Sequence, residues 1–180
     1  MTMATLPVPE TVTLSDGTTV TLRPIRADDA ERLQALHARL SPETIYLRFL
    51  GMHTMLSNDE ARRLADVDYQ TRTAIVATRE EKGEEMIIGV ARYAVINLEK
   101  PDEAEAAIVV EDRYQGRGLG LILVERLLAY ARSHGIHTFL AEINAENERM
   151  MGFIRRSGLQ AEKRLQEGVW EIRIHLLQTS

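Results

Sequence analysis

The sequence predicts an α/β (α+β) fold, with helices on both sides of one central sheet. Its 180 residues are the length of one domain rather than two. Apolar residues make up 44% of the chain and charged residues 27%, which is the composition of a globular domain with a substantial core. Segments of alternating hydrophobicity follow one another with segments of helical periodicity between them, which indicates mixed strands packed against helices.

The N-terminal part predicts an arm and a β-hairpin. Residues 1–10 contain two prolines and are expected to form a flexible arm, which leaves residues 11–180 for the folded domain. The pair Asp16-Gly17 suits a hairpin turn, because both residues tolerate positive φ. The apolar residues on one face of this hairpin are Val12, Leu14, Val20 and Leu22.

Helices are predicted after the hairpin. Leucines recur at helical spacing over residues 33–40, behind Asp28 or Asp29 as the N-cap. The pair Ser41-Pro42 then predicts the start of a second, short helix, since proline favours the first helical position.

The middle of the chain changes from helical to strand periodicity. Ser57 and Glu60 have the spacing of a capping box and predict a third helix. Two β-rich segments within residues 71–96 are joined by the polar run 80–85, which predicts a hairpin with a solvated turn. A further strand is expected in the segment that begins at Ala104.

The C-terminal third alternates helices and strands. A broad apolar stripe predicts a helix over residues 119–134, with Gly135 as its C-cap. A strand over residues 137–144 and a helix over residues 146–157 follow. Two final strands, separated by Glu167-Gly168, form a closing hairpin.

Composition and charge exclude several classes of protein. The 22 Lys and Arg residues against 27 Asp and Glu give a net charge of −5, so there is no basic footprint for nucleic acid. No stretch approaches the roughly 18 apolar residues of a membrane span, and the first residues lack the pattern of a signal peptide. We therefore expect a cytoplasmic protein without membrane or nucleic-acid partners; a monomer and a homodimer are both compatible with the sequence.

Two further absences bear on chemistry. The chain has no cysteine, which excludes disulfides, cysteine-based zinc sites and thiol nucleophiles. Its five histidines include no H-E-x-x-H motif, so we expect no metal.

The strongest candidate for chemistry is the glycine-rich segment QGRGLG, residues 115–120, between a strand and a helix. Alternate glycines let the backbone turn sharply and approach a ligand closely. The helix that follows presents unpaired N–H groups and the positive end of its dipole, which together suit a phosphate. Arg113 and Arg117 add positive charge that could reach phosphate oxygens.

The letters of this segment fit neither the dinucleotide fingerprint nor the P-loop. They do fit the pattern Gln/Arg-x-x-Gly-x-Gly/Ala, filled here by Gln115, Gly118 and Gly120. With this motif the chain resembles the GNAT superfamily of acyl-CoA-dependent N-acetyltransferases. The resemblance spans residues 22–177 and is densest over residues 104–159.

Within that superfamily the chain resembles the Pat-type protein lysine acetyltransferases, through the tracts LRPIRADD, SPETIYLRFL, AEAAIVVEDRYQGRGLG and AENERMMGFIRRSGL. The resemblance implies a mixed, mostly antiparallel sheet that splays at the cofactor strand, with helices on both faces. It also implies that the acetyl group of acetyl-CoA moves to a primary amine by direct attack, without a covalent enzyme intermediate.

The resemblance further implies contacts with acetyl-CoA, residue by residue. The backbone of the strand before the turn, at Ile108, Val109 and Val110, would pair with the pantetheine arm. The N–H groups that would hold the pyrophosphate belong to Gln115, Gly116, Arg117, Gly118, Leu119 and Gly120. Asn147 matches an asparagine that touches the cofactor, and it fits equally well as the cap of its helix.

Glu105 is implied as the general base, directly or through water. A lysine amine with a reference pKa near 10.4 must lose a proton before it can attack a thioester. A carboxylate with a reference pKa of about 4.3 is a poor base unless burial raises that pKa. Glu105 also fits a solvated strand end, and Glu111 and Asp112 are weaker candidates that we expect to point away from the pyrophosphate.

One position departs from the family pattern. Where many members carry a tyrosine as general acid, counted from Asn147, this chain has Ile154. Because a thiol has a pKa near 8.5, we expect the thiolate to leave without an acid. Tyr69, Tyr93 and Tyr114 are the alternative donors.

The acceptor stays open at this stage. A protein lysine is the first expectation and a small amine or amino acid the second, while a non-catalytic acyl-CoA sensor is the rival from another class. The family builds its acceptor wall in the part of the chain that corresponds to residues 41–69. The arginines Arg48, Arg62 and Arg63 in that tract would either meet an acidic substrate or form a solvated helix face.

Overall fold

One mixed sheet organises the computed structural model, which describes residues 9–50 and 55–176. Its strands are β1 Glu10–Thr13, β2 Thr19–Pro24, β3 Arg72–Glu81, β4 Glu84–Ala94, β5 Glu103–Val110, β6 Thr138–Asn144, β7 Gln160–Gln166 and β8 Val169–His175. Its helices are α1 Ala30–Arg39, α2 Pro42–Phe49, α3 Asn58–Ala65, α4 Leu119–Ser133 and α5 Glu148–Arg156. The strand order is β1-β2-β3-β4-β5-β6-β8-β7, which confirms the expected central sheet.

The sheet parts in its middle. Every neighbouring pair of strands is antiparallel except β5 and β6, which are parallel. These two strands pair only where Glu103–Glu105 of β5 lies beside residues 138–140 of β6, although β5 runs on to Val110 and β6 to Asn144. Beyond Glu105 the strands therefore diverge, as the family resemblance implies; we call this point the fork.

Helices cover both faces of the sheet. On one face α4 packs on β3, β4 and β5, and α5 packs on β6 and β8, with Leu119, Leu123 and Met151 among the buried residues. On the other face α1 and α3 cover β3 and β4, while α2 contacts β5 and β6. None of the helices of the described residues is both long and apolar enough to cross a membrane.

The local turn and capping predictions are largely confirmed. The chain turns at Asp16-Gly17, where Gly17 has a φ of +85°. Ser41 caps α2 through its hydroxyl, which accepts a hydrogen bond from Thr44 N–H at 3.1 Å. Ser57 and Glu60 form the expected capping box at the start of α3.

Two local expectations need correction. Asp29 is the N-cap residue of α1, as expected, but its side chain makes no capping hydrogen bond to that helix, because its fully buried carboxylate accepts hydrogen bonds from the Arg23 guanidinium at 2.7 and 2.8 Å. Glu10, the last residue of the expected arm, begins β1 and pairs there with Leu22. Residues 1–8 of that arm lie outside the described residues.

Candidate active site

A cleft opens where β5 ends, bounded by α2, the glycine-rich turn and α5. Its volume is about 790 Å³. The residues of the family motif that line it are Ile108, Val109, Val110, Gln115, Gly116, Gly118, Gly120 and Asn147. Strand, turn and helix thus bring together eight of the residues implied to bind acetyl-CoA.

The turn adopts the conformation that its glycines permit. Gly116 and Gly118 have φ values of +74° and +87°, in the region that L side chains rarely adopt. Helix α4 begins directly after Gly118, so the N–H groups of its first turn have no partner within the helix. These N–H groups and the positive end of the helix dipole make the turn an anion site at one end of the cleft.

Gln115 offers the cleft its side chain rather than its backbone N–H. Its backbone N–H donates to Asp112 carbonyl oxygen at 3.2 Å and is therefore occupied. Its side-chain Nε2 donates to Val110 carbonyl oxygen at 2.9 Å, and its Oε1 accepts a hydrogen bond from Arg149. Gln115 therefore connects the end of β5 to α5 across the mouth of the cleft.

The cationic side chains of the cleft are not those that the sequence suggested. Arg113 pairs with Glu111 at 2.6 Å, and Arg117 pairs with Asp16 at 2.8 Å, so neither side chain lines the cleft. Arg149 and Arg156 line it instead. Their separation of seven residues places them on one face of α5, a spacing that could have identified them from the sequence.

The two acidic residues of the turn differ in direction. Glu111 is buried and is held by Arg39 at 3.1 Å and by Arg113, away from the cleft as expected. Asp112 lines the cleft, contrary to expectation, but its carboxylate accepts three hydrogen bonds from Ser41 and Thr44. Although burial opposes it, this bonding lowers the pKa of Asp112, which makes a proton-accepting role unsuitable.

The last part of β5 offers one unpaired backbone edge. Residues 105–110 pair with β4 on one side, but beyond Glu105 they have no paired strand on the side of β6 among the described residues. The backbone groups that face away from β4 belong to alternate residues, Ala106, Ile108 and Val110, and are available to a ligand in the cleft except for the Val110 carbonyl oxygen that accepts from Gln115 Nε2. Leu119, by contrast, is fully buried against the sheet, so only its backbone could contact a ligand.

Asn147 caps its helix and also lines the cleft. Its Oδ1 accepts a hydrogen bond from Met150 N–H at 3.1 Å, which makes it the N-cap of α5. The same residue lines the cleft and the smaller cavity behind it. Capping fixes the side chain in the place where the strands have parted.

An apolar cavity of about 120 Å³ adjoins the cleft at the fork. Ala106 and Ala107 of β5 line it together with Ile154 of α5, which is 6% exposed. Isoleucine has no proton to donate to a leaving group. The departure from the family pattern is therefore located where the sequence placed it, beside the cavity.

The three alternative tyrosines are engaged elsewhere. Tyr69 donates its hydroxyl to Ile25 carbonyl oxygen at 2.6 Å, and Tyr114 donates to Glu81 at 2.7 Å. Tyr93 donates to a backbone carbonyl at 3.2 Å. None of the three lines the cleft or the apolar cavity, and burial raises the pKa of Tyr93 and of Tyr114, which weakens both as acids.

A groove lies across the sheet from α5, on the face of β6, β8 and β7. Its volume is about 560 Å³. Its charged lining consists of Glu105, Glu142, Glu162, Lys163, Arg164, Glu171 and Arg173. Glu105 stands exposed at the fork, at the edge of this groove rather than inside the cleft.

Groove and apolar cavity meet at Ala141 and Glu142 of β6, which line both. Glu142 is a second carboxylate beside the fork that the sequence analysis missed. A lone glutamate within the apolar run of β6 was the pattern that could have identified it. The fork therefore separates a cleft suited to phosphate and an extended ligand from a charged groove on the opposite side of the sheet.

Among residues 9–50 and 55–176 no group of three or more His, Asp or Glu side chains is placed to hold a metal ion.

Comparison with known proteins identifies the family to which this fold and site belong. The family model "Acetyltransferase (GNAT) domain" matches residues 19–160. A curated acetyltransferase of Pseudomonas aeruginosa is 38% identical over 137 residues, which cover 76% of this chain and 73% of that protein. The acetyltransferase Pat of Mycolicibacterium smegmatis is 32% identical over 152 residues, 84% of this chain but 44% of that longer protein.

Among solved structures, the GNAT domain of S. lividans PAT superposes with a TM-score of 0.83 at 32% identity, covering 93% of this chain and 96% of that one. The fold and the site thus define an acyl-CoA-dependent N-acetyltransferase. The chain belongs to the GNAT acetyltransferase family.

Proposed function

We propose that this enzyme transfers the acetyl group of acetyl-CoA to the side-chain amine of a protein lysine, by direct attack of the amine on the thioester. The observation that carries the proposal is the fork, where the cleft reaches the sheet from one side and the charged groove from the other. A thioester delivered through the cleft and an amine delivered through the groove would meet between β5 and β6.

The residues along the cleft match the successive parts of acetyl-CoA, from the pyrophosphate through the pantetheine arm to the thioester. The N–H groups of Gly116 to Gly120 would bind the pyrophosphate, with Arg149 and Arg156 adding positive charge. The unpaired edge of β5 at Ile108 and Val110 would receive the amides of the pantetheine arm. The thioester would then lie beside Ala106, Ala107 and Asn147, next to the apolar cavity.

Atoms and charge balance without an acid on the protein. The lysine ammonium gives one proton to Glu105, directly or through water, and the freed nitrogen lone pair attacks the thioester carbonyl carbon. The C–N bond forms and the C–S bond breaks, so that CoA leaves as a thiolate, and the nitrogen gives its second proton to water to become a neutral amide. Because a thiol has a pKa near 8.5, the thiolate is stable enough to leave and to be protonated from water afterwards. The absence of cysteine from the chain agrees with direct attack.

The shape and charge of the groove support a protein acceptor. It is open along β6, β8 and β7, so that a side chain of a large partner could reach the fork without being enclosed. Glu105 and Glu171 line the groove and would attract a lysine ammonium. The similarity to Pat proteins is in keeping with this acceptor, and a small amine or amino acid is the alternative.

Two matched variants test the proposed base. Glu105→Gln is expected to bind acetyl-CoA normally and to release CoA thiol about 10²–10⁴-fold more slowly in the presence of an acceptor. Glu142→Gln, which removes the other carboxylate beside the fork, is the control and should retain most of the activity. Unchanged turnover in Glu105→Gln would remove Glu105 from this role, and a selective loss in Glu142→Gln would assign it to Glu142.

An acceptor screen tests the proposed substrate class. Purified proteins, including acyl-CoA synthetases, lysine peptides and free amino acids are incubated with acetyl-CoA, and the added acetyl mass is located by mass spectrometry. Acetylated protein lysines are expected. Acetylation confined to free amines would replace the protein-lysine assignment with the small-molecule one.

A further inference from the structure

Arg48 of α2 is a charged side chain without a counterion. Its Nε is buried and has no hydrogen-bond partner among the described residues, and no carboxylate there forms an ion pair with its guanidinium. A guanidinium keeps its charge at any physiological pH, so it cannot escape burial by losing a proton. The guanidinium carbon lies 4.9 Å from the centre of the Phe49 ring, a contact that supplies no hydrogen-bond acceptor. A buried donor without an acceptor is unfavourable, which indicates that an acceptor is missing from this set of residues.

The position of Arg48 is at the reacting end of the site. It lines both the cleft and the apolar cavity, beside Ala106 and Ala107, whereas none of residues 115–120 lines that cavity. The phosphates of CoA belong at that turn, and they therefore do not account for the charge of Arg48.

A second arginine lies close by. Arg92 of β4 pairs in register with Ala107, and its Nη1 donates only to Leu64 carbonyl oxygen, at 3.2 Å. Burial, together with repulsion from Arg48, lowers the pKa of Arg92 to about 10. Two half-buried guanidinium groups are thus held near each other with no anion between them.

The neighbouring negative charge is Glu105. Cross-strand partners and alternate residues of a strand share a face, so Arg92, Ala107 and Glu105 all project toward α2. The attraction of Glu105 partly offsets the effect of burial on the pKa of Arg48, although the two side chains form no ion pair. One face of the fork therefore presents a carboxylate beside a pair of guanidinium groups.

We propose that Arg48, assisted by Arg92, binds a carboxylate that the acceptor carries close to its reacting amine. The charges of the site are complementary to those of such a molecule, because Glu105 receives the ammonium and the arginines receive the carboxylate. This inference rests on the proposed function and names its substrate class. The carboxylate belongs either to an acidic residue beside the acceptor lysine or to a free amino acid.

The exposed arginines of α3 do not share this property. Arg62 and Arg63 lie at the surface, where water solvates their charge. The sequence placed all three arginines in the acceptor wall, and only Arg48 combines burial with an unpaired guanidinium at the fork. Arg62→Met is therefore a control of matched chemistry.

The test compares acceptors that differ only in the carboxylate. One arm uses a lysine peptide with Glu beside the lysine and the same peptide with Gln there; the other uses an amino acid and its carboxamide, with rates corrected for the fraction of free amine. In wild type we expect KM to be about tenfold lower or more for the carboxylate-bearing acceptor. Arg48→Met should abolish this preference, Arg48→Lys should restore part of it, and Arg62→Met should leave it intact.

A stability measurement separates binding from structural support. Removing an unpaired buried charge should raise the Tm of Arg48→Met by about 2–4 °C, whereas removing a supporting contact would lower it. A lower Tm would overturn the inference. So would an equal fall of kcat with both members of an acceptor pair, which would assign Arg48 to the oxyanion of the transition state.

The two arms also keep this inference distinct from the proposed function. Acetylation of both peptides without a carboxylate preference would overturn the inference and leave lysine acetylation standing. Transfer to the amino acid alone, abolished in Arg48→Met, would overturn the protein-lysine assignment and support the carboxylate site. Failure of every carboxylate-bearing acceptor in both arms would overturn the carboxylate site as well.

Discussion

Gly118 has a φ of +87°, and it is the residue after which α4 presents its first N–H groups to the cleft. A Cβ built on it would meet no atom within 4 Å, so an added side chain would extend into open space at the anion site. Gly118→Asp would place a carboxylate where the pyrophosphate is expected. We predict that this variant loses the increase in Tm that acetyl-CoA gives to the wild type.

The strain of the substitution needs its own control. Gly83, in the turn between β3 and β4, has a φ of +82° and equally open surroundings, but lies away from the cleft. Gly83→Asp should lower Tm by a similar amount, since each costs about 1–2 kcal/mol of backbone strain. It should nevertheless keep its response to acetyl-CoA, and a retained response in Gly118→Asp would show that the anion site lies elsewhere.

At the same scale, the sequence predicted residue types better than residue partners. The glycine pattern of the turn was readable because positive φ is a property of single residues. The direction of Arg113 and Arg117 was not, because their partners Glu111 and Asp16 depend on the folded backbone. Whether a charged side chain forms an ion pair depends on residues far away in the chain, and Arg48 is a case in which no such partner is found among the described residues.

Asp68 connects one element to the next, between α3 and β3. Its carboxylate accepts hydrogen bonds from three successive N–H groups, of Gln70, Thr71 and Arg72, and from the Thr71 hydroxyl. Partial burial opposes ionisation, but these hydrogen bonds outweigh it and lower the pKa of Asp68 from 3.8 to about 2. The turn is therefore stabilised by the charged form of the residue.

The pH dependence follows from this lowered pKa. The unfolded chain protonates Asp68 near pH 3.8 and the folded chain only near pH 2, so the stabilisation is complete above pH 4 and is lost as the pH falls toward 2. Because the side chain is exposed, we expect about 1 kcal/mol after solvent screening. In urea denaturation, Asp68→Ala should be less stable than wild type at pH 6, by a difference that shrinks below pH 4.

A neighbouring aspartate provides the comparison for this effect. Asp66→Ala removes an exposed carboxylate two residues away that accepts none of the hydrogen bonds of this turn, and it is the control. A difference between Asp68→Ala and wild type that stayed constant down to pH 2 would mean that the ionised carboxylate contributes nothing to the turn.

The elements themselves were largely predictable, for local reasons. Strand and helix periodicity, the Ser41-Pro42 start and the capping box of Ser57 and Glu60 are written within a few residues of sequence. Asp29 shows the limit of such local prediction. It has the residue type and position of an N-cap, yet its carboxylate is hydrogen-bonded to the buried Arg23. Tertiary pairing there prevailed over local preference.

Across the whole molecule, the sheet is joined unevenly. β3 and β4 share ten residue pairs, whereas β5 and β6 share three. We predict that β6, β7 and β8 open as a unit at a lower free energy than β3 and β4, and hydrogen exchange would measure this difference. Acetyl-CoA, lying between the parted strands, should slow exchange in β6 and α5 as well as at the turn.

Saturating acetyl-CoA should raise the stability of the whole chain by about 2.7 kcal/mol at a concentration of 100 times its Kd. For a chain of this size that corresponds to an increase in Tm of about 5–10 °C. Protection confined to the turn, with β6 and α5 unaffected, would mean that the cofactor does not bridge the two parts of the sheet.

The narrow junction at the fork sets a limit on engineering this protein for heat resistance. Extending the hydrogen bonding of β5 to β6 past Glu105 would be the direct way to reinforce the sheet, and it would close the gap at which we propose that the substrates meet. Stabilising substitutions therefore belong in the β1–β4 part of the sheet, where tighter packing leaves the opening untouched. The junction of the sheet with the fewest paired residues is thus also the proposed reaction site, so that thermal stability and turnover depend on the same few backbone groups.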